Sequence, residues 1–169
     1  LVKKQEIGNS ESIIVHYQGN PKEAINAPWD GGFSWKKDNN GNHFVATSCQ
    51  GLGASVWWPC KDHMYDEVEN MDISVTVPSN LMDISNGKLK EIVDHGATKT
   101  YHWTVKNPIN NYGVNVNIGD YAHFSEVYEG EKGALDMDYF VLKDHLKKAK
   151  KQFKDAPKMM KAFEHWFGP

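Results

Sequence analysis

The chain has 169 residues, with 19 basic and 22 acidic side chains and a net charge of −3. Apolar residues make up 40% and charged residues 24%, enough for a packed core, which argues against disorder. All 19 basic residues are Lys; without the forked donors of Arg, and with an acidic total, the composition argues against a nucleic-acid partner. No apolar run approaches the roughly 18 residues of a membrane span. The chain opens at Leu1 rather than Met, which reads as a processed or cut start.

The first 142 residues read as β. Ile13-Ile14-Val15-His16-Tyr17 is a β-rich run closed by Gly19-Asn20-Pro21. His43 to Thr47 follows the turn signal Asp38-Asn39-Asn40-Gly41-Asn42. Asp72 to Val77 alternates polar and apolar, the period of a half-buried strand. Leu81 to Ser85 runs into Asn86-Gly87, a hairpin turn pair, with Lys88 to Val93 as the return strand. Thr100–Val105, Gly113–Ile118, Ala122–Tyr128 and Ala134–Leu142 complete the set. Short strands at regular spacing predict a mainly β fold, an antiparallel sandwich or open sheet.

The pattern changes at Lys143. Leu142, Leu146, Ala149, Phe153, Met160, Phe163 and Phe167 recur mainly at three- and four-residue steps, one apolar face of a helix. Pro157 fits the first position of a second helix. The spacing predicts helices over 143–155 and 157–167, with little visible for their apolar face to pack against. Charge changes at the same point. Residues 1–142 hold 11 Lys and 19 acids, net −8, while 143–169 hold 8 Lys and 3 acids, net +5. That shift is a candidate domain boundary.

No complete catalytic constellation is visible. The eight His residues (16, 43, 63, 95, 102, 123, 145 and 165) include no pair four apart, so His-Glu-x-x-His is absent. Asp62-His63 with Asp66-Glu67 reads as a cation-binding loop or simply a polar turn. No Gly-x-Ser-x-Gly elbow appears, and neither Cys49 nor Cys60 lies in a nucleophile signature. The two cysteines permit one bridge, or two buried free thiols. Six Trp invite a sugar-stacking reading beside ordinary core packing.

The stretch Cys49-Gln50-Gly51-Leu52-Gly53-Ala54-Ser55-Val56-Trp57-Trp58-Pro59-Cys60-Lys61-Asp62 is not explained by propensity. Its small residues let backbone approach a neighbour closely. Gln50 could present an amide to a ligand, or could be a polar strand end.

Gln50 with the Pro-Cys-x-Asp block at 59–62, the β pattern ending Ser74-Val75-Thr76-Val77-Pro78, and Ser85-Asn86-Gly87 resemble the N-terminal domain of the zinc aminopeptidases related to aminopeptidase N and leukotriene hydrolase. Asp138-Tyr139-Phe140-Val141-Leu142, and then Phe163-Glu164-His165-Trp166-Phe167-Gly168-Pro169, resemble the crossing into that family's catalytic domain. The resemblance implies a saddle-like β N-terminal domain over 1–142 and truncated first helices of the catalytic domain over 143–169. It implies a fragment of an exopeptidase that removes N-terminal residues, using zinc-activated water in the whole enzyme. No zinc ligand and no catalytic residue would lie in this fragment, which should be inactive alone. Only Gln50 carries over, as the residue that meets the substrate's free α-amino group. The implied partners are a peptide N-terminus and the catalytic domain of the same chain. The resemblance points to export, to the periplasm or cell surface, with any leader upstream of Leu1. The reading from another class is a stand-alone β-sandwich module that binds glycans or protein partners.

Overall fold

A computed structural model describes Lys4 and residues 6–169. Among the described residues nine strands run in order: β1 (Gly32–Lys37), β2 (His43–Ser48), β3 (Met71–Pro78), β4 (Met82–Ser85), β5 (Lys88–Asp94), β6 (Thr98–Val105), β7 (Val116–Gly119), β8 (Tyr121–Gly130) and β9 (Gly133–Leu142). They form three open antiparallel sheets: β1-β2-β7-β4, β3-β6-β5 and the ribbon β8-β9. The mainly β, sandwich-like fold read from the sequence is the fold observed.

The core lies where the first two sheets face each other. Val77, Leu81, Tyr101 and Trp103 are buried there. Ile73, Val75 and Leu89 pack on them from the three-stranded sheet, Met82, Ile84 and Ile118 from the four-stranded sheet, and Phe140 from the ribbon. Such alternate positions on facing strands are what a sandwich buries. One acid sits inside. Asp83 is 0% exposed, and its Oδ2 accepts the Trp103 indole N–H at 3.0 Å. Its other oxygen, Oδ1, has no hydrogen-bond partner among the described residues. Burial pushes the Asp83 carboxyl up to about 7, against the Trp103 hydrogen bond that holds it down.

Three expectations are corrected. Ile13–Tyr17 is not a strand; it runs without regular structure, and Ile13, Ile14, Val15 and Tyr17 are exposed. β-branched residues favour a strand only when another strand pairs with them. Asn86-Gly87 is not a hairpin turn. β4 pairs with β7 and β5 with β6, so the dipeptide is a corner between two sheets. Gly87 has φ +82°, and a Cβ there would stand 2.2 Å from the Thr104 carbonyl oxygen, so the corner needs glycine. Asn86 fixes the corner by donating to Gly113 O at 2.9 Å and accepting from Asn115 N–H at 2.8 Å. β1, with its Gly, Ser and two Lys, was not expected as a strand. It forms because all six of its residues pair with β2.

The helical tail begins with a single 3₁₀ turn, Lys143–His145, followed by α1 (Leu146–Gln152), a second turn and α2 (Ala156–Phe167). Pro157 opens α2, as expected. The tail does have a packing surface, the β8–β9 ribbon. Phe153 stacks on Tyr139 and Phe124, with ring centroids 5.0 and 6.1 Å apart. Glu164 accepts from the Tyr128 hydroxyl and from Glu131 N–H, which ties α2 to the far end of the ribbon. Met159, Phe163, Trp166 and Phe167 of α2 remain exposed. No helix among the described residues is long and apolar enough to cross a membrane.

Candidate functional site

Gln50 stands just beyond β2. The Cys49 carbonyl accepts from Leu52 N–H at 3.2 Å and Gly53 N–H at 2.9 Å, closing a tight turn with Gln50-Gly51 at its tip. Gly31 lets a second loop lie against this turn. A Cβ there would meet the Leu52 Cβ at 2.9 Å and the Gln50 carbonyl at 3.1 Å. That second loop is closed by Asp30, which accepts from Ile25 N–H at 2.9 Å and pairs with Lys22 at 3.1 Å.

The Pro-Cys-x-Asp block holds the rest of the loop in place. Asp62 accepts from Ser55 N–H at 3.1 Å and from the Ser55 hydroxyl, which anchors the 3₁₀ turn Ala54–Val56 from outside. These bonds from Ser55 hold its carboxyl below the usual range. Gly53 is small because the carboxylate passes over it; a Cβ would lie 2.5 Å from the Asp62 Cγ. Trp57 packs edge-on against Phe33 with centroids 6.0 Å apart, and against Trp58 at the same separation. These two Trp therefore fill the loop.

Of the remaining candidate groups, Cys60 and Asp62 meet, the thiol donating to Asp62 Oδ1 at 3.9 Å. Asp62 turns to Ser55, Asp66 pairs with Lys61 at 2.8 Å, and the Tyr65 N–H donates to His63 Nδ1 at 3.3 Å. Cys49 and Cys60 are free thiols. Burial raises both, and burial with the Asp62 charge pushes Cys60 up to about 11, so neither is a thiolate near neutral pH. Among the described residues no three His, Cys, Asp or Glu side chains are grouped to hold a metal ion.

The Gln50 side chain is exposed, yet it is held. The Tyr112 hydroxyl donates to Gln50 Oε1 at 3.0 Å. Tyr112 lies in the 3₁₀ turn Asn111–Gly113, whose leading Asn110 side chain accepts from Gly113 N–H at 2.8 Å. Gln50 and Tyr112 line a cavity of about 360 Å³ with Pro28, Trp29, Thr47 and Asn115. Chemically the cavity offers an amide oxygen beside exposed aromatic surface, suited to a hydrogen-bond donor on a small organic group.

No family model and no curated protein matches the sequence. Solved structures do match. An M1 zinc metallopeptidase mutant from Deinococcus radiodurans, bound to a Tyr-Ser-Ala substrate, aligns with 89% of this chain at 17% identity and a TM-score of 0.64. An M1 zinc metallopeptidase from the same organism aligns with 81% at 17% identity and a TM-score of 0.61. A two-domain M1 zinc metallopeptidase mutant bound to L-tryptophan aligns with 89% at 18% identity and a TM-score of 0.67. The chain has the fold of part of these metallopeptidases. It spans about a third of their length: 34%, 31% and 33% respectively.

Sequence reasoning missed Tyr112. Asn110-Asn111-Tyr112 reads locally as a turn before a strand, and nothing in it signals a partner 62 residues away.

Proposed function

We propose that this chain is part of a zinc aminopeptidase, in which Gln50 receives the free α-amino group of the peptide substrate. In this reading residues 1–142 are the N-terminal β domain and 143–169 the first helices of the catalytic domain. The observation that carries the proposal is Gln50 itself. It sits at a turn tip on a metallopeptidase fold, with its amide oxygen held at the edge of a small cavity. An α-ammonium is a donor without acceptor capacity, and a neutral amide oxygen is a suitable acceptor for it. In this reading zinc belongs to the catalytic domain, as the metallopeptidase neighbours suggest. The exposed apolar residues of α2 supply a face against which the rest of the catalytic domain would pack.

The test uses the full-length protein and an aminoacyl-anilide. Gln50→Ala is expected to raise KM by about 10- to 100-fold, the usual value of a hydrogen bond to a charged group. Gln50→Glu adds a charge and should also change the affinity for amine-bearing substrates and inhibitors. Unchanged affinity in both variants would sink the assignment. Glycan binding that quenches Trp fluorescence, with no peptidase activity, would favour the stand-alone binding module instead.

A further inference from the structure

We infer that Tyr112 is the positioning residue of Gln50, fixing which end of the amide faces the cavity; this rests on the reading of Gln50 as the receptor for an α-amino group. A Gln side chain ends in an sp³–sp² torsion with a broad, roughly two-fold profile. Half a turn about that bond exchanges the carbonyl oxygen for an NH₂ group. The oxygen accepts from an ammonium, whereas the NH₂ is a donor and repels it. An exposed Gln therefore needs a restraint if it is to serve one orientation.

Tyr112 supplies that restraint. Its hydroxyl donates to Oε1 at 3.0 Å, and an amide oxygen has a second lone pair left for another donor. The phenol is itself well placed. The adjacent Asn111 is buried, and its Nδ2 donates to Lys61 O at 2.8 Å. Lys61 neighbours Asp62, which accepts from Ser55 inside the same loop. Consecutive residues 111 and 112 thus hold the two ends of the Gln50–Lys61 loop, one through backbone and one through the amide. Tyr112 also borders a second cavity of about 410 Å³, lined by Gly53, His63 and Met64. Tyr112 is thus shared by the linings of that space and of the Gln50 cavity.

The experiment is a double-mutant cycle in the full-length enzyme with an aminoacyl-anilide. Tyr112→Phe keeps the ring and removes the hydroxyl. It is expected to raise KM about fivefold, the effect of one ordinary hydrogen bond, with kcat nearly unchanged. A carboxylate presents an acceptor in either orientation. In a Gln50→Glu background, therefore, Tyr112→Phe should leave KM nearly unchanged. If Gln50→Ala raises KM but Tyr112→Phe does not, the positioning role is overturned and the reading of Gln50 stands. Equal losses from Tyr112→Phe in the Gln50 and Glu backgrounds also overturn it, since only a general structural effect ignores the difference between amide and carboxylate. If neither Gln50→Ala nor Gln50→Glu alters affinity, both the reading and the inference fail.

Discussion

The core around Trp103 and the loop around Gln50 are held by different means. The core is apolar, with Val77, Leu81, Tyr101 and Trp103 buried and a single acid, Asp83, enclosed among them. The loop is held by carboxylates and glycines: Asp30 and Asp62 accept backbone N–H groups, and Gly31 and Gly53 let chains touch. Apolar burial supports the fold as a whole, whereas a side-chain bond to backbone fixes only the segment it touches. The fold can therefore keep an apolar core and still carry a loop whose shape is set by local polar contacts.

Substitutions can break this contrast. The largest loss is expected from Trp103→Ala, about 3–5 kcal/mol for an aromatic removed from a core, with the Asp83 carboxyl also left without its donor. Chemical denaturation would measure it, and a loss no larger than that of a surface substitution would show that the core is not where the stability lies. Next come two glycines with similar φ. Gly87→Ala meets Thr104 backbone at 2.2 Å, whereas Gly51→Ala, at φ +74°, meets nothing within 4 Å. The second should cost only about 1–2 kcal/mol, the left-handed backbone penalty alone, and the first clearly more. Equal shifts in Tm would remove the distinction between corner and loop.

The finest test is pH, because the two regions have opposite signs. The Asp83 carboxyl moves from 3.8 unfolded to about 7 folded, so the folded state holds the extra proton between those values. Its contribution is fully present below pH 3.8 and is lost as pH rises toward 7. Asp62 is lowered by its Ser55 bonds, so its contribution is present above the unfolded value and is lost as pH falls through the folded one. Asp83→Asn should flatten the fall in Tm between about pH 4 and 7. Asp62→Asn should leave that fall in place while lowering hydrogen-exchange protection of the Ser55 amide. If Asp83→Asn leaves the slope unaltered, Asp83 is not its source.

The sequence made most strands visible because alternation survives wherever one face is buried. Asp72 to Val77 is such a case, and β3 covers it. Where it misled, the missing information was the partner. Ile13–Tyr17 has strand composition but nothing pairs with it, whereas Gly32–Lys37 has poor composition and a complete partner. Asn86-Gly87 revealed its positive φ but not that its flanking strands belong to different sheets. At the site, Gln50 stood out through its resemblance to known residues, and Asp62 through its motif. The bonds of Asp62 to Ser55 and the grip of Tyr112 on Gln50 are contacts made in folded space, and no local pattern carries them.

The placement of β7 has a consequence for how the molecule assembles. This four-residue strand pairs with β2 on one side and β4 on the other, and its first residue donates to the Thr47 hydroxyl, 69 positions earlier. β1 with β2, and β3 with β5 and β6, have their partners once the chain reaches Val105; β2 and β4 must wait for residues 116–119. Closing such long loops costs entropy before any contact repays it. Until then β2, which leads directly into the Gln50 turn, is paired only with β1 and keeps its other edge open.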